Sequence, residues 1–278
     1  AAALILAVVL LRSLGVAART VADSLLGRRG VGSGNVERLE VRRLFSAGQV
    51  LSTLATDVGS LARTDTGTAV VFDSLGRAVL SGNAGNAFAF VRYNTAGTSV
   101  LSSGVDNTVP GSGPLATALT LGTTGDVYVG GFARNAVTAT SQDDFIVRRY
   151  DPSTGALVNA AATRFGTTNV DQISALVTMS DGRILAVGTS AGNFALAMYN
   201  ADLTLDTTFG TLGQTTTNIG PGITADSGIA VVVQPDGEIL VAGNVNTGLA
   251  LARYGASGAL DASFNGTGIV SISGGAVD

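Results

Sequence analysis

The chain has 278 residues, a net charge of −4 and only 13% charged residues, about half the roughly 25% typical of soluble domains. All 16 basic residues are arginine, and lysine, histidine, cysteine and tryptophan are absent. This excludes disulfides, ordinary zinc or copper sites, haem attachment, thiol nucleophiles and a Ser-His-Asp triad. The acidic balance also excludes nucleic acid as an expected partner, because phosphate binding needs a basic footprint.

Residues 1–29 open with eleven apolar residues before Arg12 and contain no proline. Leu14, Ala18, Val21 and Leu25 continue an apolar stripe at helical spacing, with Arg12, Arg19 and Asp23 off it. The pattern predicts one helix of about 27 residues, some 40 Å long at roughly 1.5 Å per residue. A glycine-rich stretch at 30–35 ends it and serves as a linker. Three readings compete for this helix. A signal peptide has such an apolar region and a small-residue cleavage site like that near Ala17. A membrane anchor would place Arg12 near mid-bilayer, at a cost of roughly 2.5 to 3.5 kcal/mol or more. In the third, copies of the helix bury one another through Leu4, Val8, Leu11, Leu14, Val21 and Leu25.

An all-round apolar first half, a striped second half and a following β domain resemble type IV pilins and archaeal flagellins. Ile5 stands where bacterial type IV pilins carry Glu. The resemblance implies a helix in a filament core with the β domain outside.

From residue 36 to 278 the chain repeats itself. A worn first copy, "RRLFSAGQVLST", stands at 42–53. Hairpin signals follow: "SLGRAVLSG" at 74–82, "TTGDVYVGG" at 123–131, "SDGRILAVG" at 180–188 and "PDGEILVAG" at 235–243. An Asp-Gly step between apolar runs predicts a type I′ turn, with φ > 0 at both central residues. A second landmark keeps the same beat, with strands ending in Tyr93, Tyr150, Tyr199 and Tyr254, and a third is "DTTFGTLGQTTT" at 206–217 and "DASFNGTGIVSI" at 261–272. The last unit reads as four strands, about 212–218, 227–234, 238–243 and 248–254. Four short strands per repeat predict a blade. Phe194, Leu196 and Met198 alternate with Ala195, Ala197 and Tyr199, and Leu249 and Leu251 alternate with Ala250 and Ala252. With both faces apolar, both are expected to be buried between stacked blades.

This pattern resembles the delta-sixty type of bacterial β-propeller repeat over about residues 36–273. The resemblance implies a scaffold in a cell-surface setting, with no catalytic motif attached. The fold class expected is all-β, a β-propeller of about four four-stranded blades preceded by the helix. The stretch at 264–278 then carries an extra first strand, which closes the ring or pairs with a neighbouring subunit.

Candidate chemistry is sparse. Asp73, Asp126, Asp181 and Asp236 recur at turns and Asp143–Asp144 are adjacent, so calcium by oxygen ligands comes to mind. These are also positions where turns favour aspartate, and no D-x-D-x-D-G loop is present. Arg92, Arg149 and Arg253 share one blade position, which Met198 interrupts. Their expected partners are local carboxylates such as Asp206 and Asp261, or main-chain carbonyls. Asn265-Gly266-Thr267 is a glycosylation sequon. The expectation is a non-enzymatic surface protein with no catalytic residue, cofactor or metal. Its partner is the chain itself in a homopolymer, with transient membrane insertion before assembly and glycans as secondary partners. The alternative is a membrane-anchored surface propeller that binds a glycan or another ligand.

Overall fold

The structure of the protein, a computed structural model, describes residues 65–272 except 135, 138–141, 167–168, 221–224 and 247. The predicted helix at 1–29 with its six assembly residues, the linker at 30–35 and the copy at 42–53 lie outside the described residues.

The described residues form an all-β unit of four four-stranded antiparallel sheets. The first holds β1 (Asp65–Phe72), β2 (Ala78–Ala84), β3 (Ala87–Tyr93) and β4 (Val100–Asp106). The second holds β5 (Ser112–Leu121), β6 (Val127–Arg134), β7 (Asp143–Tyr150) and β8 (Leu157–Thr163). The third holds β9 (Asp171–Thr178), β10 (Ile184–Ser190), β11 (Asn193–Tyr199) and β12 (Gln214–Thr217). The fourth holds β13 (Ser227–Val233), β14 (Ile239–Val245), β15 (Gly248–Tyr254) and β16 (Ile269–Ile272). Each is a meander in chain order.

The repeat is therefore cut one strand later than the sequence motif suggested. Gln214–Thr217 closes the third sheet by pairing with β11, and Ile269–Ile272 closes the fourth by pairing with β15. The strand after each Phe-Gly motif is thus the last of its own sheet, and 264–272 is not a surplus strand. The turn after Tyr199 or Tyr254 is compact, through the bridges Tyr199–Leu205 and Tyr254–Leu260. It returns the chain to the strand it has just left.

The hairpin turns also differ from the type I′ expectation. Gly182 and Gly237 have φ of 89°, while Asp181 and Asp236 are not left-handed. The Gly182 N–H donates to the Met179 carbonyl at 3.0 Å, and Met179 N–H donates to the Arg183 carbonyl at 2.8 Å. This is a three-residue loop, a right-handed turn followed by one left-handed glycine. The aspartate serves as a local acceptor instead: Asp181 Oδ1 takes the Arg183 N–H at 3.1 Å.

The glycine ending each hairpin motif has a separate cause. Each first strand carries a bulge opposite it, between Gly67 and Ala69 in β1 and between Gly228 and Ala230 in β13. A Cβ on Gly243 would collide with the Ser227 carbonyl oxygen, and one on Gly82 with that of Thr66. The bulge brings backbone onto backbone, and only glycine leaves room.

Sheets stack in chain order, each on the next. Phe88 and Phe90 of the first meet Val127, Val129, Ile146 and Tyr150 of the second. Phe145 and Val147 of the second meet Ala186, Ala195, Ala197 and Tyr199 of the third. Phe194, Leu196 and Met198 of the third meet Val241, Ala250, Ala252 and Tyr254 of the fourth. Bulk on one face thus enters a lining of small and branched residues on the next. Among the described residues the first and fourth sheets share no comparable interface. The expectation that both strand faces are buried holds for β11, whose residues from Phe194 to Tyr199 are all buried, but fails for β15, where Leu249 is exposed. Among the described residues β15 has a sheet on one side only.

Candidate functional site

The charged side chains gather at the two ends of the sheets. At the end carrying the glycine turns, two positions share one task. The residue after the turn glycine is Arg77, Asp126, Arg183 or Glu238; the residue before the tyrosine is Arg92, Arg149, Met198 or Arg253. Where the third-strand position is Met198, the arginine comes from the turn instead. Arg183 Nη1 lies 2.6 Å from Asp206 and Nε lies 2.8 Å from Asp181. In the fourth sheet Glu238 occupies the turn position, and Arg253 Nε bonds Asp261 at 2.6 Å while its guanidinium lies 4.9 Å over the Phe264 ring. In the third and fourth sheets one arginine thus serves the aspartate that starts the Phe motif, from either of two adjoining strands.

The arginines of the first two sheets reach further. Arg92 donates from Nη2 to the Gly125 carbonyl at 3.1 Å and from Nη1 to the Pro152 carbonyl at 3.2 Å, both in turns of the second sheet. Arg149 pairs with Asp126 at 3.2 Å and donates to the Ala201 carbonyl of the third sheet at 3.1 Å. The three arginines of the sequence reading are therefore engaged in local pairs and main-chain contacts. Hydrogen bonds from Thr208 and Arg183 hold the Asp206 carboxyl below the usual carboxylate range. Those from Ser263, then Arg253, bring Asp261 down to about 2.

At the opposite end the adjacent acids Asp143 and Asp144 turn apart, as alternation in β7 requires. Asp143 accepts Gln172 Nε2 at 2.7 Å and faces Arg134 at 3.5 Å. Asp144 is buried, held by Arg164 at 2.6 and 3.0 Å and by the Val137 N–H at 2.9 Å. They do not form a shared oxygen cage, and among the described residues no three acidic side chains converge. Asn265 of the sequon caps its own turn, Nδ2 donating to the Ile269 carbonyl at 2.9 Å.

Sequence reading missed the polar groups that join one sheet to the next. Arg148 is fully buried and its Nε meets Asp106 of the first sheet at 2.7 Å. The available signal was alternation, since Arg148 shares a strand face with Ile146 and Tyr150. Asn83 donates to the Pro114 carbonyl at 2.9 Å and accepts the Ala116 N–H at 3.0 Å, clamping β2 to β5. Thr189, at the register-equivalent position of β10, donates to the Asp226 carbonyl at 2.9 Å. The tyrosine landmark has the same purpose: Tyr199 donates to Thr163 at 2.8 Å and Tyr254 to Thr217 at 2.9 Å, each into the preceding sheet. Burial pushes the Tyr254 hydroxyl up to about 12, partly offset by the Thr217 bond.

A family model described as a domain of unknown function (DUF5122), β-propeller, matches residues 180–209 and 234–264. These segments run from the glycine turn through the second and third strands to the Phe motif of the third and fourth sheets, so the repeat is of β-propeller type and its sheets are blades. Among solved structures, a protein of unknown function from Bacteroides caccae aligns at 14% identity, covering 75% of this chain and 72% of its own, with a TM-score of 0.43. One from Dyadobacter fermentans aligns at 12% identity, covering 72% and 70%, with a TM-score of 0.49. No curated protein matches the chain.

Proposed function

We propose that the chain is a structural subunit of an extracellular or cell-surface filament, a pilus-like homopolymer with the N-terminal helix in its core and the propeller blades outside. One observation carries the scaffold part of this reading. The polar side chains at equivalent repeat positions, Arg92 and Arg149, Asn83 and Thr189, Tyr199 and Tyr254, are each engaged in joining one blade to the next. Repeated positions of this blade thus serve stacking. The eleven apolar residues before Arg12 supply the assembly element. Burying Leu4, Val8, Leu11, Leu14, Val21 and Leu25 would contribute very roughly 1.5 to 3 kcal/mol each before entropy, and Arg12 would take a carboxylate or carbonyl partner in the core. The reading assigns no catalytic residue and no cofactor.

Deleting residues 1–29 tests it. The expected outcome is a folded propeller that no longer forms the native polymer, seen by negative-stain microscopy and sedimentation. If the truncated chain still polymerises, the helix is not the assembly element. If the full chain partitions into membranes as isolated monomers, the anchored-propeller reading replaces the filament.

A further inference from the structure

Asn265-Gly266 is the one Asn-Gly step in the chain; every other asparagine is followed by a residue that carries a Cβ. The step matters because the side-chain amide carbon of an asparagine is open to attack by the main-chain nitrogen of the next residue. Glycine alone presents that nitrogen with no side chain beside it. Asn265, Gly266 and Thr267 are all exposed, in the turn that leads into β16. A Cβ placed on Gly266 would meet no heavy atom within 4 Å beyond its chain neighbours, so the space around it is open. Among the described residues the Gly266 N–H has no hydrogen-bond partner, and the attacking nitrogen is uncommitted.

The turn itself is tight. Gly268 N–H donates to the Phe264 carbonyl at 2.7 Å, Arg253 N–H donates to the Gly268 carbonyl at 2.8 Å, and Asn265 and Gly266 hold φ of 52° and 75°. The Asn265 amide folds forward over the residues that follow it, Nδ2 donating to the Ile269 carbonyl at 2.9 Å. Thr267 Oγ1 donates to the same carbonyl at 3.2 Å. Ile269 begins β16 and pairs with Ala252 of β15. The bond to Ile269 is exposed, so water can replace it when the side chain swings toward Gly266. The corresponding turn of the third sheet has Gly210 in place of Asn265, with φ of 54°. The turn therefore forms without an amide at this position.

We propose that Asn265 is a site of spontaneous main-chain modification, converting through a cyclic imide to isoaspartate and aspartate, and that the conversion loosens β16. The Gly266 nitrogen bonds to Asn265 Cγ, the Cγ–Nδ2 bond breaks, and Nδ2 leaves as ammonia with the proton from the Gly266 nitrogen. Water then opens the ring. Attack at Cγ restores the main chain with an aspartate; attack at the main-chain carbonyl carbon leaves the chain running through Cγ, one methylene longer, with a free α-carboxylate. Either product loses the donor to the Ile269 carbonyl, because a carboxylate only accepts. Either also adds a negative charge to the turn that Asp261 opens, where Asp261 and Glu238 already share Arg253. The extra methylene of isoaspartate cannot be absorbed in a turn closed by the Gly268–Phe264 bond, and β16, only four residues long, is the strand that gives way. The modification concerns the fourth blade alone and is independent of the filament reading.

The chain has no lysine and its last arginine is Arg253, so trypsin releases residues 254–278 as one peptide in which Asn265 is the sole asparagine. Full-length protein is aged in neutral buffer at physiological temperature, digested, and compared with a fresh sample by chromatography and fragmentation mass spectrometry, which separates aspartate from isoaspartate. The expected result is progressive conversion at position 265, at a rate within tenfold of the free 254–278 peptide. Native-state hydrogen exchange should then show residues 269–272 exchanging faster in aged than in fresh protein, with β10 and β11 unchanged. Asn265→Gly, the residue of the third-sheet turn, should abolish both changes. Asn265→Asp, which loses the donor without lengthening the chain, should raise exchange at 269–272 by less than isoaspartate does. The proposal is overturned if the folded protein converts more than tenfold slower than the peptide, if protein carrying isoaspartate exchanges at 269–272 as fresh protein does, or if Asn265→Gly ages in the same way as the unaltered chain.

Discussion

Across the first seam of the stack, Asp106 at the end of β4 meets Arg148 of β7, both buried, at 2.7 Å. Across the third seam the register-equivalent of Asp106 is Thr217, and it takes the Tyr254 hydroxyl at 2.9 Å. The position of Arg148 is Ala252 in the fourth blade, and the tyrosine two residues on is common to both. Since the acid of the first seam is committed to Arg148, the Tyr150 hydroxyl is buried with no hydrogen-bond partner among the described residues, while its ring packs 5.1 Å from that of Phe90. One backbone geometry thus carries either a charged or a neutral bond, provided the strongest buried donor finds its acceptor. The charged version leaves a weaker donor unsatisfied, and an isolated buried charge is the costlier of the two to leave alone.

The largest effect should come from breaking the charged seam. Arg148→Ala leaves Asp106 buried without its partner and is expected to cost about 3 to 5 kcal/mol in denaturant unfolding. Arg148→Met combined with Asp106→Leu should recover most of it. If Arg148→Ala costs no more than an exposed substitution, the pair does not hold the seam.

A smaller effect separates the two tyrosines. Tyr254→Phe removes the bond to Thr217 and should cost about 1 kcal/mol. Tyr150→Phe removes a hydroxyl that bonds nothing, and should be neutral within about 0.5 kcal/mol or slightly stabilising. Equal losses at the two positions would erase the distinction between the seams.

The smallest expected effect is at the sheet ends. Arg92 reaches into the next blade, whereas Arg253 turns back to Asp261, whose carboxyl is depressed to about 2 by Ser263 and Arg253. A group with a depressed folded pKa stabilises above its unfolded value near 4 and loses that contribution as pH falls toward 2. Acid titration of stability should therefore become shallower between about pH 4 and 2 in Asp261→Asn. The change should be modest, because the carboxylate is near solvent and screened. An unchanged acid profile would show that the Arg253–Asp261 contact adds nothing to stability.

Much of this was legible in the residues. The hairpin glycines, the tyrosine landmark and strand alternation located the four repeats, because turns and strand periodicity are local properties of the backbone. The turn type was not legible. Asp181 and Asp236 are compatible with a left-handed conformation, but an aspartate acting as local acceptor leaves only the glycine with φ > 0. The cut between repeats was also hidden, since a motif that recurs does not say whether the strand after Phe209 pairs backward with β11 or forward with β13. Arg148 could have been found from alternation alone, but its acceptor, Asp106, lies 42 positions away.

By itself, the sequence determined that this chain makes four-stranded propeller blades, where each hairpin turns and which strands are apolar on both faces. It also placed a glycine wherever the bulged first strand would otherwise strike a side chain. Only the tertiary structure decided which of those apolar faces is covered. Phe194 and Leu249 follow the same local pattern, yet one is buried and the other half open. Periodicity records the two sides of a strand, whereas burial depends on how many sheets stand beside it, and that is a property of the stack.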